Sequence, residues 1–256
     1  MGLDIYAGTL TRYYAQNWKS ATQQWAEANG YSYNRIAPGD EKEGSLSATE
    51  VQESVENWRD NILKAITPQG EEPYASWPEN NEAPYYTDKP DWDAFGALLL
   101  YIACRAYGES LPPTVEKDWD FQNHPIIQRM ASDPDKHWSL FAWATWWLPI
   151  EEGFWFNGPL PTDDSAVIAT TGGLKAELDR ANELGWKAEE EAILSWRDTE
   201  GYPVDVQVPQ KGILGRMKIR EHTSYDTESL AKFAFSILWR AVKFSEENKV
   251  PILMDF

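Results

Sequence analysis

Residues 144–161 read ATWWLPIEEGFWFNGPLP, a stretch with three tryptophans, two phenylalanines, three prolines and two adjacent glutamates. As structure it reads as sheet. Phe154 to Phe156 form a strand running into an Asn157-Gly158 turn, and Trp143, Trp147 and Trp155 fill the core around a solvated turn at Glu151-Glu152-Gly153. Exposed turns carry charge and aromatic side chains bury, which favours this reading. As chemistry it reads as a tryptophan-rich cleft. A carboxyl group against indoles has its pKa raised and can serve as a general acid. Glycoside hydrolysis asks for a second carboxylate nearby, and Asp88, Asp91 and Asp163 are candidates. Adjacent strand residues face opposite ways, so only one of Glu151 and Glu152 can enter such a cleft. The preceding residues stay open: alternation places Phe141, Trp143, Thr145 and Trp147 on one strand face, while helical spacing joins Leu140, Trp143 and Trp147.

Towards the C-terminus, AVIAT (166–170) is a strand, and Thr171-Gly172-Gly173 leads into a helix with Leu174, Leu178 and Ala181 inward and Gly185 at its end. The amides at such a helix start can hold an anion. No P-loop lysine follows and the three-glycine dinucleotide pattern is missing, so a plain strand-to-helix turn is the preferred reading. A further helix spans 186–197 with Ala188, Ala192 and Trp196 on one face. Asp226 caps a long helix whose Leu230, Phe233, Ile237, Leu238, Ala241 and Phe244 face inward, and VPILMDF closes the sequence as a buried strand.

Towards the N-terminus, LDIYAGTL is a strand. Tyr14, Trp18, Ala21, Trp25 and Ala28 form one helical stripe, capped by Thr11 and ended by Gly30. YSYNRIA (31–37) reads as a short strand and residues 38–47 as a polar acidic loop. Ser47 and Glu50 make a capping box ahead of Val51, Val55, Trp58, Ile62 and Ile66. Residues 67–90 form a long loop with four prolines before Pro90 opens the next helix. That helix is apolar almost all round from Ala94 to Cys104 and ends at Gly108; a short helix follows near PIIQRM. No repeat is present, and helices outnumber strands without alternating strictly. The class is therefore α+β: a single domain over 1–256, with about six to seven helices around a small mixed sheet. The loop at 67–90 is the one credible boundary.

With 23 basic and 41 acidic residues the 256-residue chain carries a net charge of −18. Such a charge repels nucleic acids and anionic membranes and attracts a basic partner. The basic patch of Lys211, Arg216, Lys218 and Arg220 reads as a solvated strand face. The single cysteine, Cys104, excludes an internal disulfide and sits in an apolar helix as a small hydrophobe. With no basic-then-apolar leader at the start and no apolar run long enough to span a bilayer, the expected location is the cytoplasm.

His124, His137 and His222 lack metal-site spacing. Asp88, Asp91 and Asp93 fit a calcium loop poorly and suit a helix N-terminus better. No metal or cofactor is expected, and no nucleophile motif is present. The leading reading is therefore a non-enzymatic domain that binds a basic protein. Its composition is similar in character to that of toxin-immunity proteins and other stoichiometric antidotes. Residues 71–93 hold seven acidic residues and one lysine, interleaved with aromatics, and nominate Tyr74, Trp77, Glu79, Glu82, Tyr85, Tyr86 and Asp88 as the binding surface. The alternatives are a carbohydrate-active or other hydrolase using Glu151 or Glu152, and a small-molecule binding domain with an aromatic pocket.

Overall fold

A computed structural model describes the chain except residues 1, 33–46, 163, 204–205, 210–216 and 221, and the side chains of 206–209 and 217–220. The strand expected at 31–37, the acidic loop at 38–47, Asp163, Lys211 and Arg216 lie wholly or largely outside the described residues. The rest is α+β: among the described residues there are eight α-helices and ten strands. Two compact units account for them. One gathers residues 1–89, 137–179 and 238–256; the other gathers 90–136 and 180–237.

The first unit is built on a six-stranded mixed sheet. Its strands are β1 (Asp4–Ala7), β2 (Tyr86–Asp88), β4 (Trp146–Leu148), β5 (Trp155–Pro159), β6 (Ser165–Thr170) and β10 (Ile252–Asp255), in the order β2-β1-β10-β4-β6-β5. Every pairing in it is antiparallel except β4 with β6, where Trp147 lies beside Ala169. The interior strands are apolar on both faces. Ile5, Tyr6 and Ala7 are all buried, as are Trp146, Trp147 and Leu148. An interior strand in a covered sheet has no solvent face, so alternation is lost and neither period fits residues 139–149. Residues 139–143 are turns, and Trp143 sits there at φ +61 with its ring partly exposed. β5 runs straight through Asn157-Gly158 and pairs antiparallel with β6, and beyond it the Leu160 N–H donates to the Asp164 carbonyl. Gly158 is a glycine because a Cβ would strike the Phe156 ring and Ile168. It serves close cross-strand packing rather than a hairpin.

Three helices of this unit precede β2. α3 (Ala48–Ile66) starts at the expected Ser47–Glu50 capping box and buries Val51, Val55, Trp58 and Ile62. The aromatic stripe ahead of it is two helices, not one: α1 (Leu10–Tyr14), capped by Thr9, and α2 (Ala21–Ala28). Gln16 breaks the run at φ +54, and Ser20 with Gln23 forms a second capping box that restarts it. Three of the buried indoles of this unit find acceptors, as burial of a polar N–H favours. Trp58 donates to the Pro159 carbonyl, Trp147 to Ser139 Oγ and Trp77 to Glu79.

The second unit is helical. α4 (Asp91–Tyr107) starts directly after Pro90, ends at left-handed Gly108, and is buried from Ala94 to Cys104. α5 (Pro125–Ser132) buries Ile126, Ile127 and Met130. α7 (Glu190–Thr199) starts later than its sequence pattern suggests and buries Ile193 and Trp196 rather than the alanines. Trp186 stacks on Tyr101 at 3.9 Å between centroids, and its N–H reaches Glu228. Gly185 is needed there, since a Cβ would overlap the Tyr101 hydroxyl. Two small antiparallel ribbons complete this unit: β3 (Thr114–Glu116) with β9 (Ser224–Asp226), and β7 (Val206–Pro209) with β8 (Met217–Arg220). α6 (Thr171–Leu184) and α8 (Thr227–Asn248) contribute residues to both units. Leu174, Leu178 and Ala181 of α6 are buried as the spacing predicts, as are Leu230, Ile237, Leu238 and Ala241 of α8. No helix among the described residues is long and apolar enough to cross a membrane.

Candidate functional site

Residues 71–85 form a strap fastened along α1 and α3. Its centre is Glu79, which is only 6% exposed. One oxygen of the carboxylate accepts from the Thr11 N–H at 2.8 Å, the other from the Leu10 N–H and, at 2.9 Å, from the Trp77 indole. These are first-turn amides of α1, which have no partner within the helix and carry the positive end of its dipole. Burial raises the carboxyl pKa, and the donors from Thr11, Trp77 and Leu10 hold it down in part. Around this point Thr9 donates to the Asn80 carbonyl, Gln52 to the Glu79 carbonyl and Arg59 to the Trp77 carbonyl. Arg12 donates to the Ala83 carbonyl, and its guanidinium lies 4.5 Å from the Tyr85 ring centre.

The residues nominated as a binding surface therefore divide. Trp77, Glu79 and Asp88 are buried, and Tyr74, Tyr85 and Tyr86 are partly buried. Tyr74 packs on Phe154, Tyr85 stacks on Tyr6, and Tyr86 lies against Phe244. Glu82 alone is exposed, in company with Glu71 and Glu72 on the same strap. The aromatic side chains hold the strap down, and Glu71, Glu72 and Glu82 stand on its exposed side among Pro73, Ala75, Ser76, Pro78, Asn80 and Pro84.

The second feature joins two motifs that the sequence presents separately. The Glu151-Glu152-Gly153 turn follows β4, the first residues of α6, Thr171-Gly172-Gly173, follow β6, and the two interlock at the carboxyl ends of this parallel pair. Gly172 N–H donates to the Ile150 carbonyl. Thr170 Oγ1 donates to the Glu152 carbonyl and accepts from the N–H groups of Phe154 and Gly173. A Cβ on Gly172 would sit 1.8 Å from the Glu151 carbonyl oxygen. The glycine pair thus exists for close backbone approach. The amides of Gly172 and Gly173 are spent on the protein itself, in keeping with the plain strand-to-helix turn.

This junction edges a cleft of about 480 Å³, bounded by Pro149 to Glu151, the first turns of α6 and the end of α8. Glu151 lines it and Glu152 does not. Both are exposed, Glu151 at 92% of its side chain, with its carboxylate 3.7 Å from Lys249 Nζ. Asp179 and Glu246 line the same cleft, whereas no aromatic residue does. The indoles around the turn are placed elsewhere: Trp146 and Trp147 are core, and Trp155 is 43% exposed on β5. Asp88, named as a possible second carboxylate, is buried in the β2 edge strand, outside this cleft.

Several groups near this cleft carry no signal in the sequence. Lys175 and Asp179, an i, i+4 pair at 2.9 Å, look like any solvated helix face. Glu177 sits between them with no warning signal. Its carboxylate accepts from the Ser139 N–H, the Ser139 hydroxyl and the Leu140 N–H, and desolvation pushes its pKa up to about 7. Ser139 Oγ also accepts from Trp147, so Glu177 anchors the turn leading into β4. Cys104 is buried, which raises its thiol pKa and leaves it unactivated. No group of three or more His, Cys, Asp or Glu among the described residues is placed to hold a metal ion.

No family model, curated protein or solved structure matches this chain.

Proposed function

We propose that the protein is a binding protein for a basic partner and that its working surface is the acidic face made by the strap and α3. The observation that carries this is the fastening of the strap. Aromatic side chains and Glu79 pin 71–85 to the protein, so Glu71, Glu72 and Glu82 are presented from an ordered backbone. Gln52 and Arg59 tie the strap to α3, where Glu53 and Asp60 are exposed. Preorganised carboxylates lose little conformational freedom on association, and an acidic field of this size accelerates encounter with a basic protein. On this reading the buried Trp77, Glu79 and Asp88 support the scaffold, and the exposed Glu53, Asp60, Glu72 and Glu82 supply the surface.

The test uses a photo-crosslinker at position 82, with position 192 on α7 as a control site. A discrete basic protein is expected to be captured from position 82 only. Its association with the purified chain should slow by about tenfold or more when Glu53, Asp60 and Glu82 are reversed to lysine, with a weaker salt dependence. Unchanged association rates in the reversed variant refute the proposal.

A further inference from the structure

The interlocked turns leave a cleft that the acidic-face reading does not use. We propose that this cleft, at the carboxyl ends of β4 and β6, binds a small zwitterion of amino-acid type, an ammonium and a carboxylate on one short carbon frame.

Position is the first support. β4 and β6 are the one parallel pair among the described strands of the sheet, and the residues that follow both, Pro149 to Glu151 and Thr171 to Gly172, line this cleft together. β10 runs antiparallel to β4, with Ile252 beside Trp147, so the residues just before it, Lys249 and Val250, arrive at the same end. The volume, about 480 Å³, falls in the range of small-molecule sites, roughly 300–1,000 Å³.

Charge is the second. Lys175 and Lys249 face Glu151, Asp179 and Glu246 around one cleft. A phosphate would meet three carboxylates, and the Gly172 and Gly173 amides that would have bound it are already engaged. A simple cation would meet two ammonium groups. A molecule carrying both signs can satisfy both sets. Pro149, Ile150 and Ala176 supply an apolar wall for its carbon atoms.

The ion pairs in the cleft are exchangeable. Lys249–Glu151 is 58% and 92% exposed at 3.7 Å, and Lys175–Asp179 is 42% and 43% exposed. Exposed pairs are worth about 0–1 kcal/mol, so a ligand can replace either at little cost. The floor needs nothing from a ligand: the Thr171 and Ser245 hydroxyls bond each other, and Ser245 also donates to the Val250 carbonyl. Lys249 is the informative residue. It follows the last turn of α8 at φ +54, a left-handed position where glycine is usual and another residue is strained. Here a lysine holds it, with its ammonium at the cleft.

The experiment is a titration of the full chain, followed by amide NMR shifts at Glu151, Gly172 and Lys249, with the common L-amino acids, their N-acetyl forms, their carboxamides and inorganic phosphate as probes. At least one free amino acid is expected to bind with a Kd near or below about 1 mM, and blocking either end should weaken it about tenfold or more. Lys249→Gly should weaken binding by a similar factor while leaving the melting temperature at or above the native value. The proposal is overturned if no amino acid shifts these amides at concentrations on the order of 10 mM. N-acetyl forms or phosphate binding as well as the free amino acid would make this an anion site. Carboxamides binding equally would make it a cation site. Unimpaired binding by Lys249→Gly also overturns it. None of these outcomes bears on the acidic face.

Discussion

Replacing Glu79 with alanine tests the assignment of this residue to the scaffold. The substitution strands three donors at once: the Leu10 and Thr11 amides and the Trp77 indole. A buried donor left without a partner costs about 1–3 kcal/mol. Water entering the space vacated by the carboxylate recovers part of this, and the desolvation that raises the native pKa is relieved. With each donor near the low end of that range, the expected loss is about 3 kcal/mol, a large part of the roughly 5–15 kcal/mol by which a domain is stable. Urea denaturation followed by circular dichroism and tryptophan fluorescence reads the loss. Hydrogen exchange over 77–85 should show the strap opening before the sheet. A pH series adds the sign. The native carboxyl group keeps its proton at a pH where the unfolded one has lost it, so its contribution falls as pH rises from its ordinary value through its raised native one. The alanine variant should lack that slope. Exposed Glu82, replaced in the same way, should cost less than about 0.5 kcal/mol. If Glu79→Ala costs no more than Glu82→Ala, or if the strap stays protected, the strap is not held by this carboxylate and the reasoning fails.

Glu177→Gln keeps an acceptor oxygen but cannot titrate. Because the native pKa stands near 7 against an ordinary 4.5, the native protein should lose about 3 kcal/mol relative to the variant as pH rises across that interval, with no further change outside it; a flat difference in paired melting curves contradicts the burial. Gly172→Ala drives a Cβ to 1.8 Å from the Glu151 carbonyl and should cost more than about 3 kcal/mol or prevent folding, while Gly108→Ala, in open space at φ +67, should cost only about 1 kcal/mol in the same denaturation assay. Gln16→Gly removes left-handed strain between α1 and α2 and should stabilise by up to about 1 kcal/mol; Ser20→Ala removes a cap and should cost about 1 kcal/mol. One continuous helix would reverse the sign of the Gln16 result, because glycine inside a helix destabilises.

The comparison of sequence with structure turns on how local each signal is. The capping box at Ser47–Glu50, the left-handed Gly30 and Gly108, the start of α4 after Pro90 and the inward faces of α6 and α8 depend on a few neighbouring residues and elementary backbone sterics. They were legible, and with them the α+β class. The restart at Ser20 was equally local but lost to a strong aromatic stripe, since hydrophobic spacing continues across a break that the backbone does not. Residues 139–149 gave no usable period because an interior strand buries both faces. The 67–90 segment shows the same limit of local signals: Tyr, Trp and Glu suit an exposed surface and a fastened strap alike, and the Leu10 and Thr11 amides that hold Glu79 lie some seventy residues away in sequence.

The sequence by itself determined a strongly acidic, tryptophan-rich α+β protein, with its helix ends and most of its buried helix faces, since these follow from charge count and short-range geometry. Tertiary structure alone decided that Glu79 is buried against the first amides of α1, that Glu151 and not Glu152 borders a cleft, and that the Glu151 turn and the start of α6 are one object. Each of those outcomes depends on groups that meet only when β4 and β6 pair in parallel or the strap lies along α3, and no local spacing encodes which distant backbone amide a carboxylate will find.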